Sequence, residues 1–273
     1  MPIRTATDFS SAEYWSKRFE NENSFEWLIS DEKLLPFIEE YLPSSEGIDE
    51  RFNILHFGSG TSSLGSSIQN HCKNSNCDNK IQVYDSDYVQ TPSSSSSSSS
   101  STSTVPFLLM DILSLKSIKE NTPKDINLNK WDLIIDKSTC DAISCGSSLS
   151  PSNLFPSKEE EEEEEDEDMI SHHEEPVNRL LYNLSKTIIK GGKWLSISYS
   201  SNRFHIDNNN NSENRNEGNA LMVQQYGWKL IEKKLISTTY LPNGKSIKDF
   251  KTGKERIVHE PETGVWLYVL ERI

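Results

Sequence analysis

No apolar stretch of membrane-spanning length occurs in the 273-residue chain. The amino terminus, MPIRTATDFSSAEYW, has no apolar signal-peptide core. Both absences point to a protein that neither crosses a membrane nor enters the secretory route. Cysteine is scarce, with four residues, Cys72, Cys77, Cys140 and Cys145. They form two Cys-x4-Cys pairs, looser than the Cys-x2-Cys pairs that structural zinc sites favour. Reduced thiols in a cytoplasmic protein, with no metal, are therefore the expectation. Basic excess is missing as well: Lys and Arg total 28 against 42 acids. No basic stripe offers the electrostatic footprint of a nucleic-acid binder. Ten consecutive acids, Glu159–Asp168, account for most of the net charge of −14, so the remainder is only mildly acidic.

The hydrophobic fraction, 34%, is low for a compact domain. The deficit is local. The stretches at about 91–106, 151–173 and 206–219 are serine-, glutamate- and asparagine-rich. Such compositions supply no packed face, and they read as surface insertions into a single domain spanning 1–273.

Between the insertions, short apolar runs recur at Asn53–Phe57, Ile81–Tyr84, Phe107–Met110, Leu133–Ile135, Trp194–Tyr199, Lys229–Ser237 and Val265–Leu270. Each is bounded by turn or polar residues, as buried strands are. Helical spacing is found at Asp31–Tyr41, and a helix is expected over Ser62–Asn70 behind the glycine turn. Glu175–Lys190 carries Val177, Leu180, Leu181, Leu184 and Ile188 on one stripe, and Gly191–Gly192 is the expected stop. Alternating strands and helices predict an α/β, doubly wound, mostly parallel sheet.

The segment Ile54–Gly65, ILHFGSGTSSLG, runs a strand into a glycine turn and then a helix. Gly58 and Gly60 allow a sharp turn and a close ligand approach, and the helix amino terminus offers free N–H groups. A dinucleotide fingerprint requires a third glycine where Ser63 stands, and a phosphate loop requires Gly-Lys-Ser/Thr; both are missing. Acids follow the next three strands: Asp85 in IQVYDSD, Asp111 in FLLMDIL and Asp136 in WDLIIDKSTCDAI. In an open α/β sheet, ligands bind over the carboxyl ends of the strands. A carboxylate at Asp85 can accept both ribose hydroxyls of an adenosine, and Asp111 can accept from an adenine amino group.

Five motifs in chain order resemble one family. DKSTCDA (Asp136–Ala142) is similar to the DKGTLDA signature of the methyltransferase-like group that includes elongation-factor-1-alpha lysine methyltransferases. YWSKRFENENSFEWL (Tyr14–Leu28) resembles that group's YWxxRY…FEW segment, and GSGTSSL its GCGNSxL loop. MDILSL and QYGW (Gln225–Trp228) resemble its MDxxxL and YGW. The resemblance implies a class I, Rossmann-like, seven-stranded sheet with an antiparallel C-terminal strand and an N-terminal helical cap. It implies S-adenosyl-L-methionine as cofactor, held by Trp15, Phe19, Trp27, Gly58, Gly60, Asp85, Ser86, Asp111, Ile112 and Asp136, with Asp136 orienting substrate near the sulfonium. It implies a monomeric enzyme acting on a protein lysine, with elongation factor 1-alpha as candidate partner. A small-molecule substrate, a non-catalytic binding module and a nucleotide-dependent oxidoreductase are the alternatives. Two departures stand out: Ser138 replaces the glycine of DKGT, which narrows backbone freedom there, and Cys140 replaces the leucine.

Overall fold

The computed structural model describes residues 8–22, 24–43, 51–74, 80–91, 105–126, 130–147, 175–204, 223–238, 245–248, 255–258 and 264–273. Nearly all of the three low-complexity stretches, and Cys77, lie outside the described residues.

Two helices open the described chain, α1 (Ala12–Phe19) and α2 (Asp31–Glu39). Strand β1 (Phe52–Phe57) leads through the glycine turn to α3 (Leu64–Asn74) and β2 (Ile81–Asp87). The short β3 (Phe107–Leu109) is followed by α4 (Leu115–Asn121), β4 (Trp131–Lys137) and α5 (Thr139–Ile143). Next come α6 (Pro176–Thr187), β5 (Ile188–Ser198) and β6 (Trp228–Thr238). A hairpin of β7 (Lys245–Lys248) and β8 (Glu255–Val258) precedes the last strand, β9 (Gly264–Arg272).

Seven strands form one sheet in the order β3-β2-β1-β4-β5-β9-β6. β1 pairs parallel with β2 and β4, β2 with β3, and β4 with β5. β9 pairs antiparallel with both β5 and β6, so it alone runs against the rest. This is the expected mixed sheet with an antiparallel C-terminal strand, and α1 and α2 supply the N-terminal helices.

Each central strand feeds two cores because successive side chains point to opposite faces. On β1, Leu55 and Phe57 join Trp131, Trp194 and Leu180 on one face. Ile54 joins Leu34, Ile38, Leu64 and Val83 on the other. Burying each such side chain contributes about 1.5–3 kcal/mol, which is what commits β1 to the sheet centre.

The expected stop at Gly191–Gly192 is a correction. The helix ends at Thr187, and Ile188–Gly192 already belongs to β5. Ile188 fits the helical stripe, but its place opposite Trp131 in the parallel ladder decides the matter. Gly192 has no room for a side chain, since a Cβ there would meet Ile188 Cγ1 at 2.7 Å.

Candidate cofactor site

The carboxyl ends of β1, β2 and β4 open onto a cavity of ≈510 Å³. That volume lies in the range of pockets that take a drug-sized ligand. Its centre is the glycine turn. Gly58 and Gly60 have φ of 62° and 51°, values that favour residues without a Cβ. A Cβ on Gly58 would lie 2.1 Å from Thr139 Oγ1. Thr139 in turn donates to the Gly58 carbonyl at 3.1 Å, so the DKST segment buttresses the turn. One wall is aromatic: Trp15, Phe19 and Trp27 line the cavity. Trp15 and Trp27 lie 6.1 Å apart between ring centroids, and the Arg18 guanidinium stands 4.8 Å over Trp27. Asp111 and Ile112 line the cavity as well, just past β3. Asn183 of α6 donates to the Ile112 carbonyl at 3.0 Å and fixes that loop.

Trp15, Phe19, Trp27, Gly58, Gly60, Asp111 and Ile112 thus converge on one cavity, while Asp85, Ser86 and Asp136 do not line it. For Asp85 the cause is the length of β2, which runs on to Asp87. Asp85 lies two residues short of the sheet edge, its carboxylate 2.7 Å from His56 Nδ1. Ser86 is 1% exposed and faces the interior. Its contribution is its carbonyl, which accepts the Ser59 N–H at 3.0 Å.

The acid at the true end of β2 is Asp87, which lines the cavity and accepts the Gly60 N–H at 3.0 Å. Burial pushes its pKa up to about 6, against the N–H donors of Val89 and Gly60 that favour the charge. Asp87, not Asp85, is the acid of β2 that reaches the cavity, and it stands in the same IQVYDSD string.

Asp136 is fully buried. Its oxygens accept the Cys140 N–H and the Trp194 indole N–H, each at 2.9 Å. This carboxylate ties β4 to α5 and β5 and is turned away from the cavity, which corrects its expected place near the sulfonium. Strand alternation turns the next residue, Lys137, to the cavity instead. Lys137 lines the cavity and its ammonium contacts the Glu26 carboxylate. Burial lowers the Lys137 pKa to about 8, and the Glu26 contact acts in the opposite direction. Glu26 also accepts from the Ser63 N–H at 2.7 Å and the Ser62 hydroxyl at 2.9 Å, clamping the turn that enters α3.

At the far rim Asp141 accepts from the Tyr199 N–H at 3.1 Å and from Arg203 Nε at 3.0 Å and Nη2 at 2.5 Å. Ser138 adopts φ of 67°, the left-handed region its glycine counterpart in DKGT would enter without strain. No cluster of three His, Cys, Asp or Glu side chains able to hold a metal occurs among the described residues. No described helix is long and apolar enough to cross a membrane.

No family model matches the chain. The methyltransferase srdJ of Neurospora crassa is 28% identical over 201 residues, which are 72% of this chain and 69% of that protein. A solved S-adenosylmethionine-dependent methyltransferase from Anabaena variabilis is 12% identical, with a TM-score of 0.49 over 99% of this chain and 98% of that one. The N-methyltransferase NodS of Bradyrhizobium japonicum, solved with S-adenosyl-L-homocysteine, is 10% identical, with a TM-score of 0.43 over 94% and 98% of the two chains. Neither overlay adds to the reading of the fold, which rests on the strand order and the single antiparallel strand. The fold is that of the class I S-adenosylmethionine-dependent methyltransferases. With the srdJ similarity, the site supports a methyltransferase whose cofactor is S-adenosylmethionine. The elongation-factor group is not singled out by any of these relatives.

Proposed function

We propose that the protein methylates the side-chain amine of a lysine in a protein, with elongation factor 1-alpha as the first candidate. The observation that carries this reading is the rim of the cavity. Of the exposed large apolar side chains, Phe25, Tyr88 and Tyr199 all line it, at 41%, 39% and 52% exposure. Acids Glu22, Asp87, Asp111 and Asp141 line it too, and Lys137 is paired with Glu26. An aromatic, acid-lined mouth suits a cationic chain tipped by an amine.

The cofactor supplies a methyl group on a positively charged sulfonium, displaced in line by the acceptor. The chain's own residues bind and orient. Asp87 accepts the ribose hydroxyls and the Asp111 loop meets the adenine. Lys137 faces the carboxylate of the methionine end, where Glu26 holds its ammonium. Trp15, Phe19 and Trp27 close one wall and exclude water from the reacting centre. The amine must arrive with a free lone pair, and desolvation against these rings favours its neutral form. Asp141 is not the base, because both its oxygens accept from Tyr199 and Arg203. Alignment more than proton transfer is what the site provides.

A small amine is the second reading, favoured by the aromatic wall that Trp15, Phe19 and Trp27 give the cavity. The lysine reading carries with it a monomeric, cytoplasmic enzyme. Incubation with labelled S-adenosylmethionine and cytosolic extract tests it. Label on a protein band at elongation factor 1-alpha is expected; label only in small molecules overturns the protein substrate. Calorimetry that finds no cofactor binding up to millimolar concentration overturns the enzyme.

A further inference from the structure

His56 stands on β1, two residues before Gly58, 1% exposed and lining the cavity. Its register partner on β2 is Asp85, whose Oδ1 lies 2.7 Å from Nδ1. The other ring nitrogen, Nε2, has no protein hydrogen-bond partner among the described residues. With no protein partner on a residue that lines the cavity, Nε2 is free to bond a ligand there. The pair is also given its own space. Gly65 lies inside α3, where glycine is a poor helix former. A Cβ there would stand 2.2 Å from Asp85 Oδ1 and evict the carboxylate.

An ionised carboxylate only accepts, so its bond to Nδ1 holds a proton on that nitrogen. In the neutral ring, Nε2 is then the acceptor. In the sheet, β1 lies between β2 and β4. His56 therefore lies between Asp87, at the ribose, and Lys137, at the methionine carboxylate. We propose that His56 is a cofactor-binding residue whose Nε2 accepts a hydrogen bond from the α-ammonium of the methionine moiety, with Asp85 as the positioning residue that sets its tautomer. This rests on the methyltransferase reading above.

Two probes separate the amino-acid end from the nucleoside end. S-adenosylhomocysteine carries the ammonium; 5′-methylthioadenosine does not. In calorimetry on the full chain, His56→Phe is expected to weaken S-adenosylhomocysteine about ten- to a hundredfold, the loss of one charge-assisted hydrogen bond. 5′-Methylthioadenosine should keep its affinity within about twofold. His56→Gln, whose amide oxygen can replace Nε2, should restore most of the loss. ¹⁵N spectra of the wild-type protein are expected to show His56 protonated at Nδ1, with Nε2 shifting when S-adenosylhomocysteine binds. In Asp85→Asn that tautomer preference should weaken. Equal loss of both ligands in His56→Phe, or no loss of either, overturns the assignment. So does a ring protonated at Nε2 in the complex, a readout that stands even where a variant fails to fold. A wild-type chain that binds neither ligand overturns the methyltransferase reading and takes this assignment with it; binding by wild type with an unaffected variant overturns this assignment alone.

Discussion

At the end of β2 and just past β3, Asp87 and Asp111 line the cavity. At the end of β4, Asp136 is turned into the protein and held by Cys140 and Trp194, while Asp141 of α5 lines the cavity with its oxygens engaged by Tyr199 and Arg203. All four sit near the same sheet edge. Asp136 alone is turned from the cavity, because of strand parity and strand length and not because of its chemistry. An acid after a strand becomes a ligand-facing group only if the strand ends on the right count.

The largest test of this contrast is Asp136→Ala. It orphans two buried donors and leaves a void, so a stability loss of about 3–4 kcal/mol is expected in denaturant unfolding. A stable variant with selectively lost turnover would return Asp136 to the site. Next in size is Asp87→Asn, expected to weaken S-adenosylmethionine binding about ten- to a hundredfold by calorimetry. Unchanged affinity would erase the difference between the two sides.

A pH series sharpens the same point. Burial raises Asp87 from 3.8 to about 6, so its carboxylate takes up a proton as pH falls through about 6. Cofactor affinity should drop over that fall, and the drop should shrink in Asp87→Asn. In the ligand-free chain the sign is opposite. Between about pH 4 and 6 the folded state holds a proton that the unfolded state has released, so this group's contribution to stability declines as pH rises through the window. The smallest expected effect is Ser138→Gly. Relief of the left-handed strain, offset by the entropy glycine adds to the unfolded chain, should raise stability by on the order of 0.5–1 kcal/mol. A destabilised variant would mean that the Ser138 hydroxyl outweighs its backbone.

The seven strands of the main sheet were legible because each apolar run is bracketed by turn residues, as at Asn53–Phe57 and Val265–Leu270. The β7–β8 hairpin was not anticipated, since KSIK and ERIV are short and polar. At the site, the glycine turn, Asp111 and the aromatics of α1 were readable from motif and order. Asp87 was missed through a two-residue error in one strand end, which is ordinary where boundaries depend on ladder partners. Lys137 was missed because its face is set by parity, and Glu26 because its partner lies 111 positions away. Ile188 reads as helical from the sequence because an apolar residue after a helical stripe fits both periods.

Thr139 fills the space a side chain on Gly58 would occupy, and it bonds the carbonyl of that same residue. Two positions 81 apart in the chain therefore behave as a single locus. Enlarging the first is tolerable only in a background where the second has been pared down, and its positive φ taxes even that route. In a double-mutant cycle Gly58→Ala and Thr139→Ala should show strong epistasis, the second change relieving much of the harm done by the first. Drift at the glycine turn is thus gated by a residue in a different motif, so the two strings can change only in step.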